Sequence, residues 1–145
     1  MKKNFLLISS IVTLGLLTIS IIGTVCIIKS NSDYIEVDKT TTGISFKTRY
    51  SLMKFDFADI SDIKKEPTQL NNTQLDGFKS INCEIGVFEN EKYGSYYSFV
   101  YNKSCTSLVL SLENLEKYPS SYVIVGLKSD SETYELYDFI SSNIN

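Results

Sequence analysis

The sequence predicts an α+β domain, an antiparallel sheet with a packed C-terminal helix, preceded by one transmembrane helix. Three observations carry this reading. An uncharged run extends from Phe5 to Ile28 between Lys2-Lys3 and Lys29. From Ile81 onward apolar and polar residues alternate with the period of two expected of strands. Near the end, Thr133, Leu136, Tyr137, Ile140 and Ile144 recur at helical spacing.

The run from Phe5 to Ile28 would form a helix of roughly 36 Å, enough to cross a ~30 Å hydrocarbon core with some tilt. Its polar atoms are hydroxyls and the Cys26 thiol. Hydroxyls can bond back to the preceding turn, so none has to meet lipid unsatisfied. The lysine pair precedes the run and the long polar segment follows it. Lysines are retained on the cytoplasmic side, which predicts a single-pass membrane protein with its C-terminal domain outside the cytoplasm. Lys29 opposes this, but a flanking lysine can snorkel. Residues 1–4 are then a cytoplasmic stub, 5–28 the signal-anchor in contact with the lipid bilayer, 29–33 a linker and 34–145 the extracytoplasmic domain. The alternative is secretion after signal-peptide cleavage near Ser32, where Ser30 and Ser32 give a small-x-small site; the apolar run is longer than such peptides usually carry. Lipidation at Cys26 is disfavoured by Val25 before it, and the thiol reads as a small apolar group in a membrane helix.

Residues beyond the anchor suffice for one core. All 17 acidic residues of the chain lie there, whereas Lys2, Lys3 and Lys29 of the 14 basic residues flank the apolar run. That acidic excess argues against a nucleic-acid partner, which requires a basic face. The chain has no histidine. Histidine-based acid–base catalysis, Ser-His-Asp and Cys-His nucleophiles and most catalytic zinc sites are therefore excluded. The sequence calls for no cofactor and reads as a protein that is not an enzyme.

In chain order, Tyr34 to Val37 reads as an opening strand and Asp38 to Gly43 as a turn, with Gly43 able to take a positive φ. Ile44 to Phe57 has strand periodicity: Ile44, Phe46 and Thr48 share one face, and Met53, Phe55 and Phe57 share another. Phe57, Ile60 and Ile63 recur every three residues, which predicts a short helix ending before Pro67. Residues 66–77 carry turn chemistry throughout and read as a loop. Strands are predicted over Lys79–Glu89, Ser95–Tyr101, Thr106–Leu112 and Ser121–Leu127, the last apolar enough for a central position. Ser129 with Glu132 forms a capping box that starts the helix.

Cys83 and Cys105 invite one disulfide in an oxidising compartment, against the alternative of two buried thiols. If the hairpin turns near Lys92, Cys83 faces Tyr101 and Cys105 lies just past the same end, within bridging reach. Tyr93, Tyr96, Tyr97 and Tyr101 form a cluster that would supply rigid amphipathic contact area to a protein or glycan partner if exposed. Strand tyrosines are equally ordinary sheet-face residues.

Two S-x-x-K matches, Ser51 with Lys54 and Ser61 with Lys64, lack every companion motif of serine acyl enzymes. Asp56, Asp59 and Asp62 lack the glycine and the spacing of a calcium loop and read as a solvated acidic face. Asn71-Asn72-Thr73 and Asn102-Lys103-Ser104 fit the glycosylation sequon, which is accidental in a bacterial protein, as the Ile, Asn, Lys and Ser richness suggests.

The element order in residues 43–145 resembles the extracytoplasmic PsbP-like domain family. The shared features are the Gly43-Ile-Ser-Phe46 strand, Gly77 before a run of antiparallel strands, and the closing Phe139-Ile-Ser-Ser142-Asn-Ile144. The resemblance implies an antiparallel sheet sandwiched by helices and an accessory or assembly role. The chain departs from that pattern in having Thr48-Arg49-Tyr50 where a Pro or Trp follows the first strand, and no functional residue carries over. Two functions follow as expectations: a membrane-anchored extracytoplasmic accessory or binding protein acting through protein–protein contacts, or a small-ligand or envelope-glycan binder with a pocket between the final helix and the sheet.

Overall fold

The computed structural model describes residues 34–69 and 72–144. The predicted stub, anchor and linker, with Cys26, lie outside them. No helix among the described residues is long and apolar enough to cross a membrane.

The described chain is α+β. β1 (Ile35–Lys39), β2 (Gly43–Thr48) and β3 (Leu52–Asp56) form a three-stranded antiparallel sheet. A 3-10 turn (Phe57–Asp59) leads to β4 (Ile60–Pro67), β5 (Thr73–Lys79), β6 (Cys83–Asn90), β7 (Gly94–Tyr101), β8 (Thr106–Leu112) and β9 (Tyr122–Gly126). These build a second sheet in the order β4-β8-β9-β7-β6-β5. Helix α1 (Asp130–Ser141) closes the chain.

One core joins these parts. Ile60, Ile63, Leu108, Leu110, Leu112, Val123, Val125, Phe99 and Ile85 present one face of the large sheet. Against it pack Ile44, Phe46 and Phe55 of the small sheet and Leu136 and Ile140 of α1, each at most 2% exposed. Phe46 stacks on Phe99 with ring centroids 4.7 Å apart. The helix begins where the sequence places it: the Ser129 hydroxyl accepts the Glu132 N–H at 3.2 Å, satisfying one of the orphan amides of the first turn.

Several expectations are corrected. Phe57 to Ile63 is not a helix; only the 3-10 turn is helical, and β4 follows directly. The spacing of three arises because β4 carries a bulge between Ile60 and Asp62. The extra residue returns Ile60 and Ile63 to the same face, imitating helical periodicity. The expected loop 66–77 holds β5 from Thr73, an edge strand exposed on both faces and so without alternation. Gly43 does not adopt a positive φ; it is required by close approach, since a Cβ there would lie 2.3 Å from the Phe55 carbonyl oxygen. Ile81 lies outside the strand, 94% exposed in a tight turn where the Ser80 hydroxyl accepts the Asn82 and Cys83 N–H groups.

The large sheet is mixed rather than purely antiparallel. β9 enters between β7 and β8 and runs parallel to β7. This placement separates β8 from β6 by two intervening strands, about 14 Å at a ~4.8 Å strand spacing. The hairpin register is the predicted one, with Cys83 opposite Tyr101. Cys105, just before β8, is nevertheless on the wrong side of β9. The two cysteines are not bridged: Cys83 is buried and Cys105 exposed.

Where β5 and β6 pair, Gly77 faces Gly86, with φ of 104° and 130°. A Cβ on Gly86 would meet the Asp76 carbonyl oxygen at 2.3 Å. Glycine at both positions lets the two backbones approach closely at φ values that a side chain would strain. Gly86→Ala should therefore lower stability by about 1–3 kcal/mol, read as the urea unfolding midpoint; an unchanged midpoint would show the strand to be unstrained.

Candidate functional site

Alternation along β6 and β7 sends Cys83, Ile85, Tyr97, Phe99 and Tyr101 to the core and Glu84, Phe88, Tyr96 and Ser98 to the opposite face of the large sheet. That second face carries charged and polar groups, yet Glu84, Phe88, Tyr96 and Ser98 are each at most 1% exposed. Pro67, Gln69, Asn72, Asn90 and Tyr93 border the space above Tyr96 and Ser98.

A buried carboxylate requires partners, and Glu84 has two. Its Oε1 lies 2.8 Å from Lys79 Nζ, an ion pair without a hydrogen bond, and its Oε2 accepts from Asn72 Nδ2 at 3.0 Å. Asn72 is the hub of this border. Its side-chain amide also donates to the Gln69 carbonyl (2.8 Å), its Oδ1 accepts from Asn90 Nδ2 (3.3 Å), and its main-chain carbonyl accepts from Lys79 Nζ (3.1 Å). A second tether closes the other side. Lys92 of the hairpin pairs with Glu66 of β4, and Asn90 Oδ1 accepts the Lys92 and Tyr93 N–H groups. Hydrogen bonds from Lys92 and Tyr93 hold the Glu66 carboxyl below the usual glutamate range.

Between these tethers opens a groove of about 850 Å³ lined by Thr68, Gln69, Asn72, Thr73, Glu89, Asn90, Glu91 and Lys92. It shares Gln69, Asn72 and Asn90 with an inner cavity that reaches Tyr93, Tyr96 and Ser98. The inner cavity measures about 10 Å³, room for one water-sized group. Among the described residues, the Tyr96 and Ser98 hydroxyls have no hydrogen-bond partner. The Asn90 side chain lies beside the Tyr96 hydroxyl without meeting hydrogen-bond geometry. Burial and the Glu84 charge push the Tyr96 phenol well above its ordinary value. It is a neutral donor and acceptor, not a base.

The tyrosines expected to form an exposed contact surface do not form one. Tyr96, Tyr97 and Tyr101 are 1%, 6% and 7% exposed. Tyr97 packs against Phe55, and the Tyr101 hydroxyl accepts the Ile35 N–H at 2.8 Å. Tyr93 is half-buried, its ring 6.3 Å from Tyr96 and 5.0 Å from Tyr122. The structure thus assigns Tyr93 and Tyr96 to the groove and Tyr97 and Tyr101 to the core. Glu84, Ser98 and Asn72 escape a sequence reading, because alternation alone does not reveal that a second face is covered. Of the three aspartates, Asp56 and Asp59 converge on Lys117, whereas Asp62 pairs with Lys64.

Comparison with family models, curated proteins and solved structures finds no match to this chain.

Two outcomes follow from this geometry. Lys79→Met would leave the Glu84 carboxylate buried with Asn72 alone; because Lys79 is partly exposed, the loss should be about 2 kcal/mol, below the roughly 3–5 kcal/mol of a fully buried pair. Chemical denaturation measures it, and an unshifted midpoint would contradict the clamp. The depressed Glu66 carboxyl contributes stability above the ordinary glutamate value of 4.5, lost as pH falls through its lower folded value. Glu66→Gln should flatten the acid limb of a stability-versus-pH curve below pH 4.5; identical limbs would show the tether to contribute nothing.

Proposed function

We propose that this is a membrane-tethered, extracytoplasmic binding protein whose polar groove holds a ligand. One observation carries the reading: an open groove ends on two buried hydroxyls, Tyr96 and Ser98, that the protein's described residues leave without partners. Buried polar groups are normally satisfied, so a site of this kind points to something that completes it. The groove has hydroxyls, amides and committed ion pairs but no histidine, which favours binding over catalysis. The location rests on the apolar run 5–28, which would hold the protein in a bilayer with the groove on the far side. We place the ligand site on the outer face of the sheet; the pocket expected beside the final helix also exists, about 270 Å³ between Val37, Tyr101, Glu132 and Leu136, but holds no unpartnered buried hydroxyl among the described residues.

A protein-contact role is a second reading, favoured by a different surface. Tyr50, 55% exposed, stacks on Phe78 at 5.2 Å, and Ile81 stands nearly fully in solvent beside the end of edge strand β5. The resemblance of residues 43–145 to PsbP-like domains would imply the same accessory role. Here Tyr50 and Ile81, and not the strand tyrosines, would make the contact.

A photo-crosslinking side chain placed at Glu91 in the groove, or at Glu116 on a remote loop as control, tests groove occupancy in intact cells. Mass spectrometry should find an adduct at position 91 and none at 116, on protein that resists carbonate extraction and is cut by external protease. Absence of the groove adduct would overturn the binding reading, and carbonate release would overturn the tether.

A further inference from the structure

The groove's own chemistry narrows its ligand. We infer that it takes a neutral polyhydroxylated molecule, a saccharide, and that one ligand hydroxyl enters the inner cavity between Tyr96 and Ser98. This rests on the reading of the groove as a binding site.

The inner cavity sets the first constraint. At about 10 Å³ it admits one small group and excludes a carboxylate or phosphate head. Its two unpartnered hydroxyls, on residues 1% exposed, can each donate and accept. A ligand hydroxyl reciprocates both roles. An ammonium has no acceptor to answer the two hydroxyls' donors. The nearby carboxylates are already engaged, Glu84 with Lys79 and Glu66 with Lys92, and an unpaired buried charge is costly.

The rim sets the second. Gln69, Thr73, Glu89 and Glu91 are exposed around the mouth. Amide and hydroxyl groups match sugar hydroxyls in both directions, and a carboxylate accepts two of them. Lys92 is the rim's cation and is held by Glu66, so Glu89 and Glu91 give the mouth a negative field that repels phosphates and anionic lipid heads. A volume of about 850 Å³ lies in the range of ordinary ligand pockets.

The test is isothermal titration of the full chain in nanodiscs with cellotriose, chitotriose, maltotriose and mannotriose, alongside glucose 6-phosphate and spermidine. At least one neutral trisaccharide should bind saturably. Ser98→Ala and Tyr96→Phe should each weaken that binding by roughly five- to tenfold, the effect of one hydrogen bond. Both variants should unfold at the wild-type midpoint or above, because the hydroxyls they remove have no protein partner. No binding by any trisaccharide, or unchanged affinity in both variants, overturns the inference. Tighter binding of glucose 6-phosphate or spermidine overturns the ligand class while leaving the groove as a site. Silence from every probe together with a missing adduct at position 91 defeats both.

Discussion

A carboxylate cannot sit at 1% exposure without neutralising partners, and Glu84 sits at that exposure. Its partners come from Lys79 on β5 and Asn72 just before it. Asn72 also borders the groove on the outer face of the large sheet, with Gln69, Asn90 and Lys92. The facing glycines Gly77 and Gly86, both at positive φ, let β5 and β6 approach closely beside it.

The two faces of the large sheet divide the work. The inner face is fully apolar and covered twice, by the small sheet and by α1, so it fixes the fold. The outer face mixes apolar Phe88, Val100 and Val109 with Glu84, Tyr96 and Ser98, and ends in an open groove. Tyrosine serves both faces. Tyr97 and Tyr101 bury their rings in the core, with the Tyr101 hydroxyl engaged by the Ile35 N–H, whereas Tyr96 directs its hydroxyl to the cavity.

Much of the fold was legible because periodicity reports a face when one side is covered and the other wet. β8 and the N-terminus of α1 fall where Leu108, Leu110 and Leu112 and the Ser129–Glu132 pair place them. The hairpin register, with Cys83 opposite Tyr101, was legible for the same reason. Failures came where a local irregularity broke the period. The bulge at β4 made Ile60 and Ile63 imitate a helix, and β5, exposed on both faces, carried no period at all. The insertion of β9 between β7 and β8 is a long-range event with no local signal, and it sets β6 and β8 two strands apart. The site was the least legible part. Tyr93 and Tyr96 were singled out, but Glu84 and Ser98 look like ordinary outward strand residues until the cover over them is known.

The account depends on Asn72 and Glu84 acting as a unit across the covered face. A double-mutant cycle with Asn72→Ala, Glu84→Gln and the pair, read by urea denaturation, measures that coupling directly. We expect a coupling of about 1–2 kcal/mol, within the range for residues sharing one hydrogen-bond network. Additive losses within about 0.3 kcal/mol would mean that Asn72 and Glu84 do not act as a unit.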